Sequence, residues 1–237
     1  MGKAGSDASM RCVHCGTPVA AVYVEYSPGN IRLSECAQCG YAADEYVECE
    51  MMIVVIDLIL HKPEAYRHIF FNYPVLHKLN MLEFVWKTSL LILLLDSCKL
   101  CLRGVGKADV VQWESLALFL STAGKVVAKV GLVNMVFLFT VLALTHVLPN
   151  IGPYAKSKWT DLLMAVVLSS YFKMFVLPMM VWEFSPLMAL IIDMLVLSSN
   201  TVALKVMLNT STPIAATAIA AGAFCRTLCR SLIDLVL

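Results

Sequence analysis

The sequence predicts a small, β-rich N-terminal zinc ribbon followed by an all-α, multi-span transmembrane helical bundle, with interfacial amphipathic helices between them. Three observations carry this. Two Cys-x-x-Cys pairs, Cys12-Val13-His14-Cys15 and Cys36-Ala37-Gln38-Cys39, lie near the start of the chain. Hydrophobic residues make up 59% of 237 and charged residues 15%, against about 45–50% and 25% in soluble domains. Long apolar runs fill the chain beyond residue 84, and mean hydropathy is +0.77. Such a chain has too little polar surface to cover itself in water.

The ribbon comes first. Four thiolates in two such pairs form the ligand set of a structural zinc site, closed tetrahedrally at about 2.3 Å per bond. This expectation makes Cys12, Cys15, Cys36 and Cys39 the metal ligands. Gly16 and Gly40 directly follow the pairs, where the tight turn of a zinc knuckle needs positive φ. A disulfide framework would require an oxidising compartment, and Met1 to Arg11 holds no apolar run of a secretory signal. A thioredoxin-type motif uses one pair inside a βαβ pattern, which this segment lacks. Val19 to Tyr26 and Ile31 to Leu33 read as strands around the turn Ser27-Pro28-Gly29-Asn30. So small a domain draws its folding energy from the metal. Cys49 reads as a small buried hydrophobe rather than a fifth ligand.

Charge excludes one familiar use of such ribbons. Between Arg11 and Cys49 the basic residues are Arg11 and Arg32, against Glu25, Glu35, Asp44, Glu45 and Glu48. Phosphate binding needs a basic face, so no nucleic-acid partner is expected.

Residues 50–83 connect cap to membrane. Met51 to Leu60 is apolar except for Asp57 and too short to span a bilayer. It reads as a buried strand or as a helix against the membrane face. In the next segment Pro63 suits a first helical turn. Tyr66, Ile69, Phe70 and Tyr73 then share one helical face, while Glu64, Arg67 and His68 point elsewhere. Pro74 stops this helix, and Val75 to Trp86 begins a second amphipathic run. Basic and aromatic residues in that mixture suit helices lying in the interface.

Spans are expected at 130–148, 162–182 and 187–208, with a further one at 213–233, giving about four. Lys173 inside 162–182 costs about 2.5–3.5 kcal/mol, which the Leu, Val and Phe residues around it offset. The run 84–102 is interrupted by Lys87, Asp96 and Lys99 and reads as a surface or re-entrant helix as readily as a span. Asp96 and Lys99, three apart, suit mutual neutralisation on one helix. Ala218 and Gly222 are spaced for close helix contact. The resulting organisation is a disordered terminus (1–10), the ribbon (11–49), the amphipathic segment (50–83) and the transmembrane region (84–237). Reduced thiols and the basic residues Lys62, Arg67, Lys78 and Lys87 place the ribbon in the cytosol.

The double Cys-x-x-Cys-Gly ribbon, followed by His61-Lys62-Pro63-Glu64-Ala65-Tyr66-Arg67-His68-Ile69-Phe70-Phe71-Asn72, resembles the homology domain of the Arv proteins. These are endoplasmic-reticulum membrane proteins of lipid homeostasis. The likeness is close over about residues 11–74 and beyond them extends only to an apolar tail of similar length. It implies a role in sterol trafficking and distribution, with effects on sphingolipid metabolism and glycosylphosphatidylinositol precursors. It carries over the four cysteines as metal ligands and the 61–72 segment as a functional stretch of unassigned mechanism.

Within that stretch His61, Tyr66, Arg67, His68 and Asn72 are the residues expected to bind lipid or a partner. In the spans the same expectation falls on Lys173 and Asp193, because charge in hydrocarbon is expensive, and these two suit pairing across helices. Cys98 with Cys101, and Cys225 with Cys229, read as packing residues. The chain offers no Gly-x-Ser-x-Gly, no His-Glu-x-x-His and no phosphate-cradling glycine loop, so no enzymatic activity is expected. Two classes remain: a lipid transporter acting on membrane lipids, sterol foremost, or a scaffold whose ribbon docks protein partners.

Overall fold

The computed structural model describes residues 10–73, 81–105, 116–147, 159–181 and 185–236. Met1 to Ser9, the first half of Val75 to Trp86 (residues 75–80, with Lys78), Lys107 and the ends of the expected spans at Leu148 and Trp182 lie outside them.

The cap is built on one antiparallel hairpin, β1 (Tyr23–Ser27) and β2 (Asn30–Leu33), pairing Tyr23 with Leu33 and Glu25 with Ile31. The expected first strand begins four residues earlier than the observed one, at Val19; there the chain is instead occupied by the bridge Arg11–Pro18. A matching bridge, Glu35–Ala42, closes the second cysteine loop. Gly16 and Gly40 adopt φ of 77° and 75°, and each N–H returns to the first cysteine of its pair, at 2.9 and 2.8 Å. At both positions, as at Gly29 in the hairpin turn, the positive φ requires glycine's freedom.

Past the cap, α1 (Met51–Ile59) is a helix, which settles the strand-or-helix alternative. Only Val54 and Asp57 on it are buried, while Met52 is 65% and Ile56 50% exposed. An apolar helix with so little protein cover suits a membrane surface. Next, α2 (Pro63–Arg67) runs straight into a wide π-type turn over His68–Asn72, closed by Tyr73 N–H on the His68 carbonyl at 2.9 Å.

Five long helical segments form the bundle: α3 (Met81–Val105), α4 (Leu116–Val147), α5 (Trp159–Ser169), α7 (Pro186–Leu208) and α8 (Thr212–Val236). α5 continues through a tighter 3₁₀ stretch, Ser170–Phe175, into α6 (Val176–Val181). Pro178 in α6 lacks an N–H and its ring crowds the carbonyl four residues back, so the preceding turn rewinds. Among the described residues four stretches are long and apolar enough to cross a membrane: Leu120–Val147, Trp159–Val181, Pro186–Leu208 and Thr212–Leu235. The expected count of about four matches, and the Ala- and Gly-rich final run is one of them. The interrupted run 84–102 falls within α3, which is not among the four yet packs on α4, α5 and the 3₁₀ stretch.

Helices α4 and α8 pack most intimately. Ala218 and Ile219 are buried, and a Cβ on Gly222 would sit 2.7 Å from Val141 Cγ2 and 3.1 Å from Phe137 Cδ2. The small residues therefore set how closely the helices approach. Gly222→Val should overpack this seam and cost about 1–3 kcal/mol. Thermal unfolding in detergent would register a lower midpoint; an unchanged one would contradict the packing.

Candidate metal centre, its latch and a membrane cavity

The hairpin and the two glycine turns converge the four cysteines. Their Sγ atoms all lie within 4.8 Å of one another, with Cys12–Cys39 at 3.7 Å and Cys15–Cys36 at 3.6 Å. Four sulfurs at about 2.3 Å from a common metal would be separated by about 3.8 Å in a tetrahedron, whereas a disulfide would bring a pair to about 2.05 Å. The site therefore fits a metal ion and its cysteines are free thiols. Burial pushes the Cys12 thiol up to about 12. A metal must displace that proton, so loading is coupled to pH. Cys49 lies outside the cluster, half-buried, its thiol donating to the Glu45 carbonyl at 3.4 Å.

At the centre of the contacts that hold this cap to the rest is a buried carboxylate. Asp44 is fully buried; its Oδ1 accepts from Tyr46 N–H at 3.0 Å. Its Oδ2 meets His68 Nδ1 at 2.7 Å and accepts from Asn72 Nδ2 at 2.7 Å. Asn72 also clasps the start of the ribbon: Arg11 N–H donates to its Oδ1 at 2.9 Å, and its Nδ2 donates to the Arg11 carbonyl at 2.8 Å. Arg67 Nη1 donates to the carbonyls of Val13 (2.6 Å) and His14 (3.0 Å), inside the first cysteine loop. A second tie joins cap and α1. Tyr46 donates its hydroxyl to Asp57 Oδ2 at 2.8 Å, and Lys62, 2.8 Å from the other oxygen, holds the Asp57 carboxyl below the usual carboxylate range.

The same short segment grips the bundle with its other side. The Tyr66 hydroxyl shares a hydrogen bond with Ser199 Oγ at 2.8 Å, and Ser199 donates to the Ser169 carbonyl at 2.7 Å. His61 Nε2 lies 2.9 Å from Ser198 Oγ, its ring stacked on Phe172. Phe70 is buried in the main core with Tyr66. Thus Arg67, His68 and Asn72 face the cap, and His61 and Tyr66 face α7 and the 3₁₀ stretch. His68 points away from the Tyr66–Phe70 face as the periodicity expects, and there it is buried against Asp44. Asp44 itself was not singled out by sequence: one acid among five in an acidic segment carries no mark of burial.

Deep in the bundle the expected charge pairs are exchanged. Lys173 Nζ donates to Asp96 Oδ2 at 2.7 Å, and Lys99 pairs with Asp193. The sequence expectation of Asp96 with Lys99, and of Lys173 with Asp193, is corrected. Helix α3 packs against the 3₁₀ stretch, so partners on neighbouring helices are nearer than those one turn along. Asn134 Nδ2 also donates to Asp96 Oδ2, at 2.9 Å, and Arg226 Nη2 lies 3.7 Å from it. Beside this cluster is a cavity of about 420 Å³ between α3, α4, α5 and α7. Its floor includes Asn134, Ser170, Lys173, Asn200 and Arg226, and its walls are apolar.

A cap whose four cysteines could hold a metal ion, latched onto a bundle with four candidate spans among the described residues, defines a multi-pass membrane protein with a small peripheral cysteine domain. The chain belongs to the Arv1-like family, whose model matches residues 11–204. The match runs well beyond the segment that carries the sequence resemblance, into α7. The Arabidopsis thaliana protein ARV 2 is 42% identical over 202 residues, covering 85% of each chain. A Dictyostelium discoideum arv1 homolog is 33% identical across 86% of both, and the Bos taurus protein ARV1 is 31% identical across 92% of this chain and 77% of its own. No solved structure matches.

Replacing Cys36 and Cys39 by Ser should strip the metal. Elemental analysis of the purified variant is expected to fall from one equivalent to none, and an undiminished content would refute the ligand set. Asp44→Ala leaves His68 and Asn72 buried without their shared acceptor and should cost about 1.5–3 kcal/mol, read as a lower unfolding midpoint of the cap with all four thiols still present.

Proposed function

We propose that this chain is an endoplasmic-reticulum membrane protein of lipid homeostasis, which moves lipid between membranes or leaflets and thereby governs sterol distribution. On this reading the cap holds zinc and faces the cytosol, and changes in sphingolipids and glycosylphosphatidylinositol precursors follow from altered lipid supply. The observation that carries it is the cavity: apolar walls, a polar floor and a volume of about 420 Å³ within the bundle. Ligand pockets for small amphiphiles run from about 300 to 1,000 Å³. Family membership and the sequence resemblance support the same direction. We read the protein as non-enzymatic, since the ionisable groups at the cavity floor are engaged with one another rather than arranged as nucleophile and base.

One observation favours a second reading. Tyr26 and Tyr41 are 68% and 65% exposed on an acidic cap, and exposed tyrosines are favoured at protein interfaces. A scaffold that docks lipid-synthesis enzymes through the cap would use them.

Reconstitution of the purified protein in liposomes separates the two. The transport reading expects accelerated lipid movement by this protein alone, slowed severalfold by Gly131→Leu, which adds bulk to the cavity wall where a Cβ has ordinary room, 3.7 Å from Leu93. No movement by the wild type, with partners recovered through the cap, would replace transport by scaffolding.

A further inference from the structure

The cavity has a chemical preference written into its floor. Lys173 and Arg226 both line it, and both are directed at the single carboxylate of Asp96, at 2.7 and 3.7 Å. Asn134 contributes a third donor to the same oxygen. Lys99 pairs with Asp193, so among the described residues the floor sets two cations, Lys173 and Arg226, against one anion, Asp96. Arg226 stands at the longer distance and is the less committed of the two. Asn200, 1% exposed, also lines the cavity; its Oδ1 accepts from Ser169 Oγ at 2.5 Å, while its Nδ2 has no hydrogen-bond partner among the described residues. An uncompensated cation and a partnerless amide donor both disfavour an empty, low-dielectric site. An anionic oxygen would satisfy both.

The mouth shows how such a ligand arrives. Trp86, Leu90 and Met135 line the cavity and are 57%, 41% and 60% exposed. They lie on α3 and α4, on an apolar outer surface of the bundle, so access is sideways from the bilayer rather than from water. Walls of this kind exclude a free phosphate and accept acyl chains.

We propose that this cavity binds a membrane lipid with an anionic headgroup, its phosphate or carboxylate held by Arg226, Lys173 and Asn200 and its chain leaving between α3 and α4 past Trp86. The assignment rests on reading the chain as a lipid-handling membrane protein. It goes beyond that reading in naming a headgroup class, which is neither sterol nor zwitterionic lipid.

Trp86 supplies the probe. A full-length protein with Trp113, Trp159 and Trp182 changed to Phe keeps it as the sole tryptophan, and is placed in neutral-lipid nanodiscs. Dibrominated phosphatidic acid should quench its fluorescence at about tenfold lower mole fraction than dibrominated phosphatidylcholine, as one charge-assisted contact set implies. Arg226→Gln spares the Lys173–Asp96 pair and should bring the two lipids to near parity, while Arg226→Lys restores the preference. Equal quenching by both lipids in the protein bearing Arg226, or equal quenching by a brominated sterol, overturns the assignment, whether or not the Gln variant folds. Added inorganic phosphate should leave quenching unchanged; displacement of the lipid by it would assign the floor to a free anion instead. Absence of lipid movement in liposomes would overturn transport while leaving headgroup selectivity standing, so the two failures are distinguishable.

Discussion

A buried carboxylate in the cap that meets two side chains of the 61–72 segment decides how this molecule is joined. Asp44 sits in the cap, fully enclosed, and its oxygens are satisfied by one backbone amide of the cap and two side chains from the 61–72 segment. Stripping a carboxylate of water without replacing those contacts costs several kcal/mol. The cap and the segment are therefore bound to fold against each other. A metal held by the four cysteines would fix the loops that present Asp44, and the segment in turn meets α7 through Tyr66 and His61. A domain too small to hold itself together thus becomes the outer end of a continuous path of hydrogen bonds into the membrane.

The bundle uses the opposite solution to a related problem. Its charges cannot reach water, so they are matched between helices, Lys173 with Asp96 and Lys99 with Asp193. Such pairs contribute little net stability, but breaking one is costly, so they fix which helix faces which. They also place α3, too polar to count among the candidate spans, firmly inside the bundle. Among the described residues Lys173 and Arg226 share the carboxylate of Asp96 beside the cavity, so the proposed headgroup site and the architecture meet at the same cluster.

Much of this was legible in the residues. Two Cys-x-x-Cys-Gly pairs specify their own turn, so the convergence of the four cysteines could be read from spacing. Apolar runs announced the spans, and Ala218 with Gly222 announced a close seam. Residues 61–72 were marked as important, yet their role as a two-sided latch was not. The 3.6 period already turns Arg67 and His68 away from the Tyr66–Phe70 face, as observed. That their own side is buried under the cap was not legible, because the partner that buries His68 and Asn72 is Asp44, more than a helix length away in sequence. The charge pairs were chosen wrongly because linear proximity is a poor guide once five helices compete for partners. Asp44 was invisible for a simpler reason. Its neighbours Glu45 and Glu48 have the same chemistry, and only the fold distinguishes a buried acid from a solvated one.

The central claim is that the metal cap and the transmembrane bundle are mechanically one body through the 61–72 segment. Hydrogen–deuterium exchange of the full-length protein in nanodiscs, before and after chelation of the metal, tests it most directly. The account predicts that chelation deprotects the amides of the cap and of Pro63 to Tyr73 together, with the centre of α7 left protected. Loss of protection confined to the cap, with the segment unmoved, would show that the latch does not depend on the metal and would contradict the account.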